Sequence, residues 1–234
     1  ALGYINDIIG DFNAERNGNE QLINIETRAW YNPNLITRWS FLPGMIAALS
    51  LIQILMLAGL SVAREREQGT FDQLLVTPLS STEILIGKAV PPLLIGMMQV
   101  TFIMILCVFW FKIPLNGSLL TLYLTVFIFM LSCIGIGLSI SAVSTSMQQV
   151  MVYTFVLMMP MVLLSGLATP IRNMPEILQI ATYANPLRFG VDAIRRVYLE
   201  GSTLAQVAHN FIPMTAVAAV TLPLAVRLFR NKLT

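Results

Sequence analysis

From residue 41 onward the chain is a series of long apolar runs separated by short charged or proline-rich stretches. A helix that crosses ~30 Å of hydrocarbon needs roughly 20 apolar residues. Five segments qualify: Phe41–Ala63, Val90–Phe111, Leu119–Val143, Val150–Leu167 and Gln206–Leu228. In lipid the backbone must satisfy its own hydrogen bonds, and runs without period-two alternation do so as helices. The expected fold is an all-α polytopic membrane protein with five transmembrane helices.

Residues 1–40 follow a different pattern. Leu2, Ile5, Ile9 and Phe12 recur at helical spacing among acidic residues, which predicts an amphipathic helix ended at Asn17-Gly18. The alternation around Ile23 and Ile25, with Trp30 and Tyr31, predicts a strand over residues 21–31, closed by Asn32-Pro33. This segment reads as the tail of a small mixed α/β domain. The chain opens at Ala1 without a methionine or a signal-peptide pattern, so the expectation is that a preceding part of the protein is missing.

Two connections carry structure of their own. Between the first two spans, Arg64-Glu65-Arg66-Glu67-Gln68-Gly69 precedes Thr70-Phe71-Asp72-Gln73-Leu74-Leu75-Val76-Thr77-Pro78. Thr70 and Gln73 have capping-box spacing, and Pro78 stops the helix they start. Phe71, Leu74 and Leu75 share one face of it, which either lies on a lipid surface or projects as a rigid knob. Ser80 and Glu83 repeat the capping-box spacing and start the helix that leads into the second span, with a kink expected at Pro91-Pro92. Between the last two spans, residues 175–183 and 186–199 have helical patterns. There Asn185 is placed as an N-cap before Pro186 at the first helical position. Arg188, Arg195 and Arg196 sit at ion-pair spacings from Asp192, and Gly201 ends the helix.

Composition agrees with lipid as the main solvent. Of 234 residues, 56% are hydrophobic and 11% charged, against about 25% charged in soluble domains, and the mean hydropathy is +0.74. A net charge of +2 is too small to indicate a nucleic-acid partner. Cys107 and Cys133 lie inside apolar runs and read as small buried hydrophobes. A raw count of lysines and arginines does not orient the chain. The basic end Arg227, Arg230, Lys232 and the pair Arg64, Arg66 lie close to span ends and favour a cytoplasmic C-terminus.

Candidate chemistry is sparse. Gly87-Lys88-Ala89 lacks the hydroxyl residue and upstream glycine of a phosphate-binding loop, so nucleotide chemistry is expected on another chain. His209 reads as a polar cap at a span end. The span interiors hold no ionisable residue, which argues against a pathway coupled to protons or ions within this chain. Gly135 and Gly137, with Ser132, Ser139 and Ser141, allow close helix packing, either within the chain or between subunits. Pro160 either kinks its span for gating or is simply tolerated there.

The stretch Ala63-Arg64-Glu65-Arg66-Glu67-Gln68-Gly69-Thr70-Phe71-Asp72-Gln73-Leu74-Leu75-Val76-Thr77-Pro78-Leu79 resembles the loop after the second span in permease subunits of bacterial ABC-2 type exporters. Further matches follow in order: Trp30-Tyr31-Asn32-Pro33-Asn34, Gly135-Ile136-Gly137-Leu138-Ser139-Ile140-Ser141, Ser146-Met147-Gln148-Gln149, Leu164-Ser165-Gly166, Asn173-Met174-Pro175 and Asn185-Pro186-Leu187-Arg188. The resemblance covers essentially the whole chain and is greatest to multidrug or sodium efflux permeases that work as paired half-transporters.

This resemblance implies six spans per subunit, with an extracytoplasmic domain between the first and second. The five spans here would be the second to sixth. Residues 1–40 would then be the end of the outer domain, residues 41–234 the transmembrane domain, and the C-terminus cytoplasmic, in a bacterial inner membrane. It implies that residues 69–77 form a coupling helix that docks on a separate ATP-binding cassette ATPase. Phe71, Leu74 and Leu75 would fill a groove there, flanked by Gly69, Thr70 and Asp72, with Arg64, Glu65, Arg66 and Glu67 at the rim. It implies that residues 168–205 form an outward helical hairpin, with Asn185, Pro186, Arg188 and Asp192 at an outer gate. The implied partners are the ATPase, a second permease, identical or homologous, membrane lipid and optionally a periplasmic adaptor. ATP would be held by the ATPase, with no cofactor on this chain, and the implied cargo is a drug or lipophilic compound. Two other classes stand beside this reading: an ATP-independent secondary transporter, and a non-transporting scaffold or sensor.

Overall fold

The computed structural model describes residues 37–70, 80–167 and 169–230, and these are helical with short connections. Helix α1 spans Thr37–Glu67, α2 Ser81–Ile105, α3 Leu119–Val143 and α4 Met147–Leu163. The segment between α4 and the last helix holds α5, Glu176–Ala181, and α6, Pro186–Arg195, with single 3-10 turns at Ile171–Asn173 and Thr182–Ala184. Helix α7 spans Leu204–Arg230. Helices α2 and α6 each end in a π-helical turn, Leu106–Trp110 and Arg196–Glu200. The amphipathic helix and strand read within residues 1–36, and the short helix over 71–76, lie outside the described residues. No strand occurs among those described.

Among the described residues four helices are long and apolar enough to cross a membrane: Phe41–Glu67, Ser81–Trp110, Leu119–Val143 and Leu204–Arg230. The expected fourth span is shorter. Helix α4 has 17 residues, about 25 Å at 1.5 Å per residue, and it ends three residues after Pro160, whose carbonyl accepts from Leu164 N at 2.9 Å. The first span differs in the other direction. The charged run Arg64–Glu67 is the last turn of α1 rather than a loop, and Gly69 closes it with a left-handed φ of +71°. Helix α2 starts where expected: Ser80 Oγ accepts from Glu83 N, and the Glu83 carboxylate accepts from Ser80 N. It then runs through Pro91 and Pro92 without ending.

The bundle is organised around α3, which packs along α7 on one side and α1 on the other. Glycine makes both approaches possible. A Cβ at Gly135 would lie 2.1 Å from Thr221 Oγ1 of α7, and one at Gly137 would lie 2.9 Å from Ala58 Cβ of α1. The small residues therefore serve packing within the chain on both faces of α3. Hydroxyls close the same seams. Ser139 Oγ donates to Thr221 O at 3.3 Å, and Ser141 Oγ accepts from Val62 N at 3.1 Å. Cys107 and Cys133 are buried free thiols. By contrast α2 exposes Met98, Phe102, Phe109 and Trp110, and α4 exposes Val152, Phe155 and Val156. Large apolar side chains facing outward from a helix bundle are what a lipid solvent selects.

Candidate functional site

The two ends of α1 carry two different polar constructions. At its C-terminal end, three consecutive charges reach three different helices. Glu65 pairs with Lys88 of α2. Arg66 Nη1 donates to Ala142 O at 3.0 Å and to Ser144 O at 2.7 Å. These carbonyls lie at the C-terminal end of α3, where intrahelical donors run out and the dipole is negative. Glu67 Oε2 accepts from Met147 N at 2.8 Å, the first helical residue of α4, where amide donors are unmatched and the dipole is positive. The last turn of α1 thus supplies a cation to one helix end and an anion to the next. Gly69 and Thr70 follow directly, with Thr70 Oγ1 donating to Glu65 O at 3.3 Å.

The family resemblance implies that Arg64, Glu65, Arg66 and Glu67 stand together at the rim of a docking surface. In the fold, Arg64 is exposed, while Glu65, Arg66 and Glu67 are engaged within the chain. Phe71, Asp72, Leu74 and Leu75 lie outside the described residues. The inward use of Arg66 had a weak signal: Ser144 follows an apolar run with no basic residue to cap its end.

At the other end of the bundle the segment that holds α5 and α6 borders a cleft of about 710 Å³. Asn185 holds this segment in place. It is buried, its Oδ1 accepts from Leu187 N at 3.0 Å as the N-cap of α6, and its Nδ2 donates to Met161 O of α4 at 2.7 Å. Pro186 fills the first helical position as expected. Asn185→Ala removes both bonds and leaves a buried carbonyl unmatched. The expected cost is about 2 kcal/mol, read as a fall in the temperature at which the detergent-solubilised protein loses its single gel-filtration peak.

The ion pairs are more selective than the spacing suggested. Asp192 pairs with Arg196 Nε at 3.0 Å and accepts from Asn210 Nδ2 of α7 at 2.8 Å. Arg188 turns the other way. Its guanidinium lies 4.3 Å from the Tyr183 ring centroid, and it donates to the Thr182 hydroxyl. Arg195 crosses to Gly166 O at 3.4 Å and packs on Gly44 of α1, where a Cβ would lie 2.9 Å from Nε. Burial pulls the Arg195 pKa below its ordinary value, and the nearby Asp192 carboxylate counters part of that pull. The guanidinium stays charged regardless. Arg172, Arg195, Arg196 and His209 also line the cleft. Sequence spacing along one helix could not bring in Arg172 or His209, because they come from the segment before α5 and from α7.

A third feature is an apolar groove of about 520 Å³ between α1 and α4, lined by Ile52, Met56, Met151, Phe155, Val156 and Met158 among others.

The ABC-2 type transporter family matches residues 12–199. The chain is 40% identical over 238 residues to the "Probable multidrug ABC transporter permease YbhR" of Escherichia coli strain K12, covering 99% of this chain and 64% of that protein. It is 33% identical over 210 residues to "Probable multidrug ABC transporter permease YbhS" of the same strain, covering 88% of this chain and 56% of that protein. It is 29% identical over 237 residues to its "Inner membrane transport permease YhhJ", covering 98% and 63%. The chain spans somewhat less than two thirds of the length of these curated relatives. With the family matched across most of its length and a bundle of membrane-length helices, this chain belongs to the ABC-2 type transporter family.

Proposed function

We propose that this chain is the membrane-spanning part of an exporter permease, worked by a separate ATPase that docks on the stretch from Gly69 to Val76. The observation that carries this reading is the construction before that stretch. Glu65, Arg66 and Glu67 fasten the end of α1 to α2, α3 and α4. A force applied at Gly69 therefore reaches four helices together. A docking helix on a loose loop would transmit none of it. Phe71, Leu74 and Leu75 are the apolar side chains of the docking stretch that would enter the ATPase, and Arg64 is an exposed charge beside it, outside the contacts that fasten α1.

The remaining features support the same machine. Charged residues of the four membrane-length helices sit in or near the end turns, Lys88, two turns into its helix, being paired with Glu65, so an ion-coupled pathway has no foothold in their interiors. Helix α4 with the apolar residues after it completes a fifth span, residues 147–167. The apolar groove between α1 and α4 offers a wall for drugs or lipophilic compounds moving between two permease copies, identical or homologous. The orientation proposed puts residues 69–77 and the C-terminus in the cytoplasm of a bacterial inner membrane. It puts residues 1–40 and the 168–205 hairpin outside, where Asn185, Pro186, Arg188 and Asp192 belong to an outer gate.

The test is co-purification of the full-length permease with its ATPase from mild detergent. Phe71→Asp is expected to leave the protein in the membrane and to reduce the bound ATPase at least about tenfold, since a buried aromatic anchor contributes ~2 kcal/mol or more. Undiminished ATPase on that variant removes this docking site, and a wild-type protein that emerges without any ATPase returns the scaffold and secondary-transporter readings.

A further inference from the structure

The cleft beside the α5–α6 segment is built unlike the rest of the bundle. Among the described residues, four guanidinium groups line it, those of Arg172, Arg188, Arg195 and Arg196, against a single carboxylate, Asp192. That carboxylate is already used twice, by Arg196 and by Asn210. Among the described residues the cationic excess therefore has no matching anion in the cleft wall. Arg195 makes the imbalance costly, since its Nε is buried without a hydrogen-bond partner. A desolvated donor of this kind is retained at a cost of about 1–3 kcal/mol unless something accepts from it. The guanidinium fork matches the oxygens of a phosphate group in pairs.

Position narrows the ligand. Gly44 packs on Arg195 at one end of α1, and Arg66 caps α3 at the other. Twenty-two residues of helix separate them, about 33 Å at 1.5 Å per residue. That is one hydrocarbon thickness, so the cleft sits at headgroup depth. Beside it, α5 and the turn after it present Ile177, Ile180 and Tyr183 outward, 81%, 70% and 61% exposed. A short helix with exposed apolar residues next to a basic cleft is the arrangement of an interfacial lipid contact.

We propose that this cleft binds a phosphate-type oxyanion, carried either by the headgroup of an anionic phospholipid or by a soluble phosphate compound. Arg195 and Arg172 grip the phosphate, Arg188 is held in reach by its stack on Tyr183, and the apolar face of α5 receives acyl chains when the phosphate belongs to a lipid. Placing the cleft at the outer surface rests on the exporter reading; the anion site itself does not.

The experiment uses the full-length permease in nanodiscs containing equal phosphatidylglycerol and phosphatidylcholine, with retained lipid counted by native mass spectrometry. A second arm measures the thermal shift given by inorganic pyrophosphate. Wild type is expected to retain phosphatidylglycerol over phosphatidylcholine by about tenfold, the scale of one charge-assisted contact pair. Arg195→Gln and Arg172→Gln should each abolish most of that preference. Lys112→Gln, a surface cation outside the cleft, should leave it intact. Arg172 is exposed, so its variant decides the matter if Arg195→Gln fails to fold. A pyrophosphate shift lost in Arg172→Gln, without a lipid preference, assigns the site to a soluble phosphate. Absence of both signals in wild type overturns the proposal, as does a Lys112→Gln variant that loses binding as fully as Arg172→Gln. Neither arm involves the ATPase or transport, so loss of anion binding with ATPase docking intact, or the reverse, separates this inference from the exporter reading.

Discussion

Gly135→Leu is expected to abolish the folded bundle rather than to trim its stability. A Cβ at Gly135 meets Thr221 Oγ1 at 2.1 Å, Thr221 Cβ at 2.9 Å and the backbone nitrogen of Leu222 at 3.0 Å. The hydroxyl can rotate away, but the Cβ and the backbone cannot. The two helices must therefore separate, and the Ser139 bond to Thr221 O is lost with them. Overpacking a tight site typically costs 1–3 kcal/mol. Here the obstacle is backbone along the seam that α3 shares with α7, so about 3 kcal/mol or more is expected. The measurement is the monodisperse fraction of detergent-extracted protein, which should fall to a small remainder for Gly135→Leu and partly for Gly135→Ala. Gly87→Ala is the matched control: it lies in a helix with nothing within 4 Å of its Cβ, and it should be neutral or stabilise by up to about 1 kcal/mol. Normal yield and thermal behaviour of Gly135→Leu would mean that α3 and α7 are not closely packed in the membrane.

The helices were legible because lipid imposes one strong rule, a long apolar run for each span, and because caps are local. Ser80 with Glu83, and Asn185 with Pro186, were readable from spacing within four residues, and both form. The length of α4 was less legible. Leu164 and Leu167 prolong the apolar pattern, and Pro160 costs only the bond back to Val156 O; the chain leaves the helix after Leu163 and turns left-handed at Gly166, φ +81°. The intrachain role of Gly135 and Gly137 was one of two open readings, since a small-residue motif says that something approaches closely and not what does. The charges were hardest. Arg64-Glu65-Arg66-Glu67 reads along the chain as a solvated turn, yet three of the four residues find partners at 23, 78 and 80 positions' remove. Likewise Arg195 looked like a local partner of Asp192, whereas its observed hydrogen bond is to Gly166 O, 29 residues away. Helical spacing predicts neighbours on one helix; it carries no information about which other helix end needs a charge.

Arg66→Ala is expected to separate docking from transport. The side chain joins the end of α1 to the carbonyls that close α3, and charged hydrogen bonds contribute about 1.5–3 kcal/mol. Alanine leaves Ala142 O and Ser144 O without that donor, and the stretch beginning at Gly69 is then tied to the bundle chiefly through Glu65 and Glu67. The residues proposed to touch the ATPase are unchanged, so the ATPase should still co-purify. Under the exporter reading proposed above, what should fall is the fraction of hydrolysis events that move the bundle: efflux of a lipophilic dye from cells expressing the full-length protein should drop by roughly tenfold or more, the equivalent of at least about 1.4 kcal/mol. Lysine keeps the charge but not the fork that reaches two carbonyls at once, so Arg66→Lys should lie between the two. Phe71→Asp should give the opposite pattern, with the ATPase lost outright. Efflux at the wild-type level in Arg66→Ala would show that force enters the bundle by another route, and loss of the ATPase in that variant would make Arg66 part of the docking surface itself.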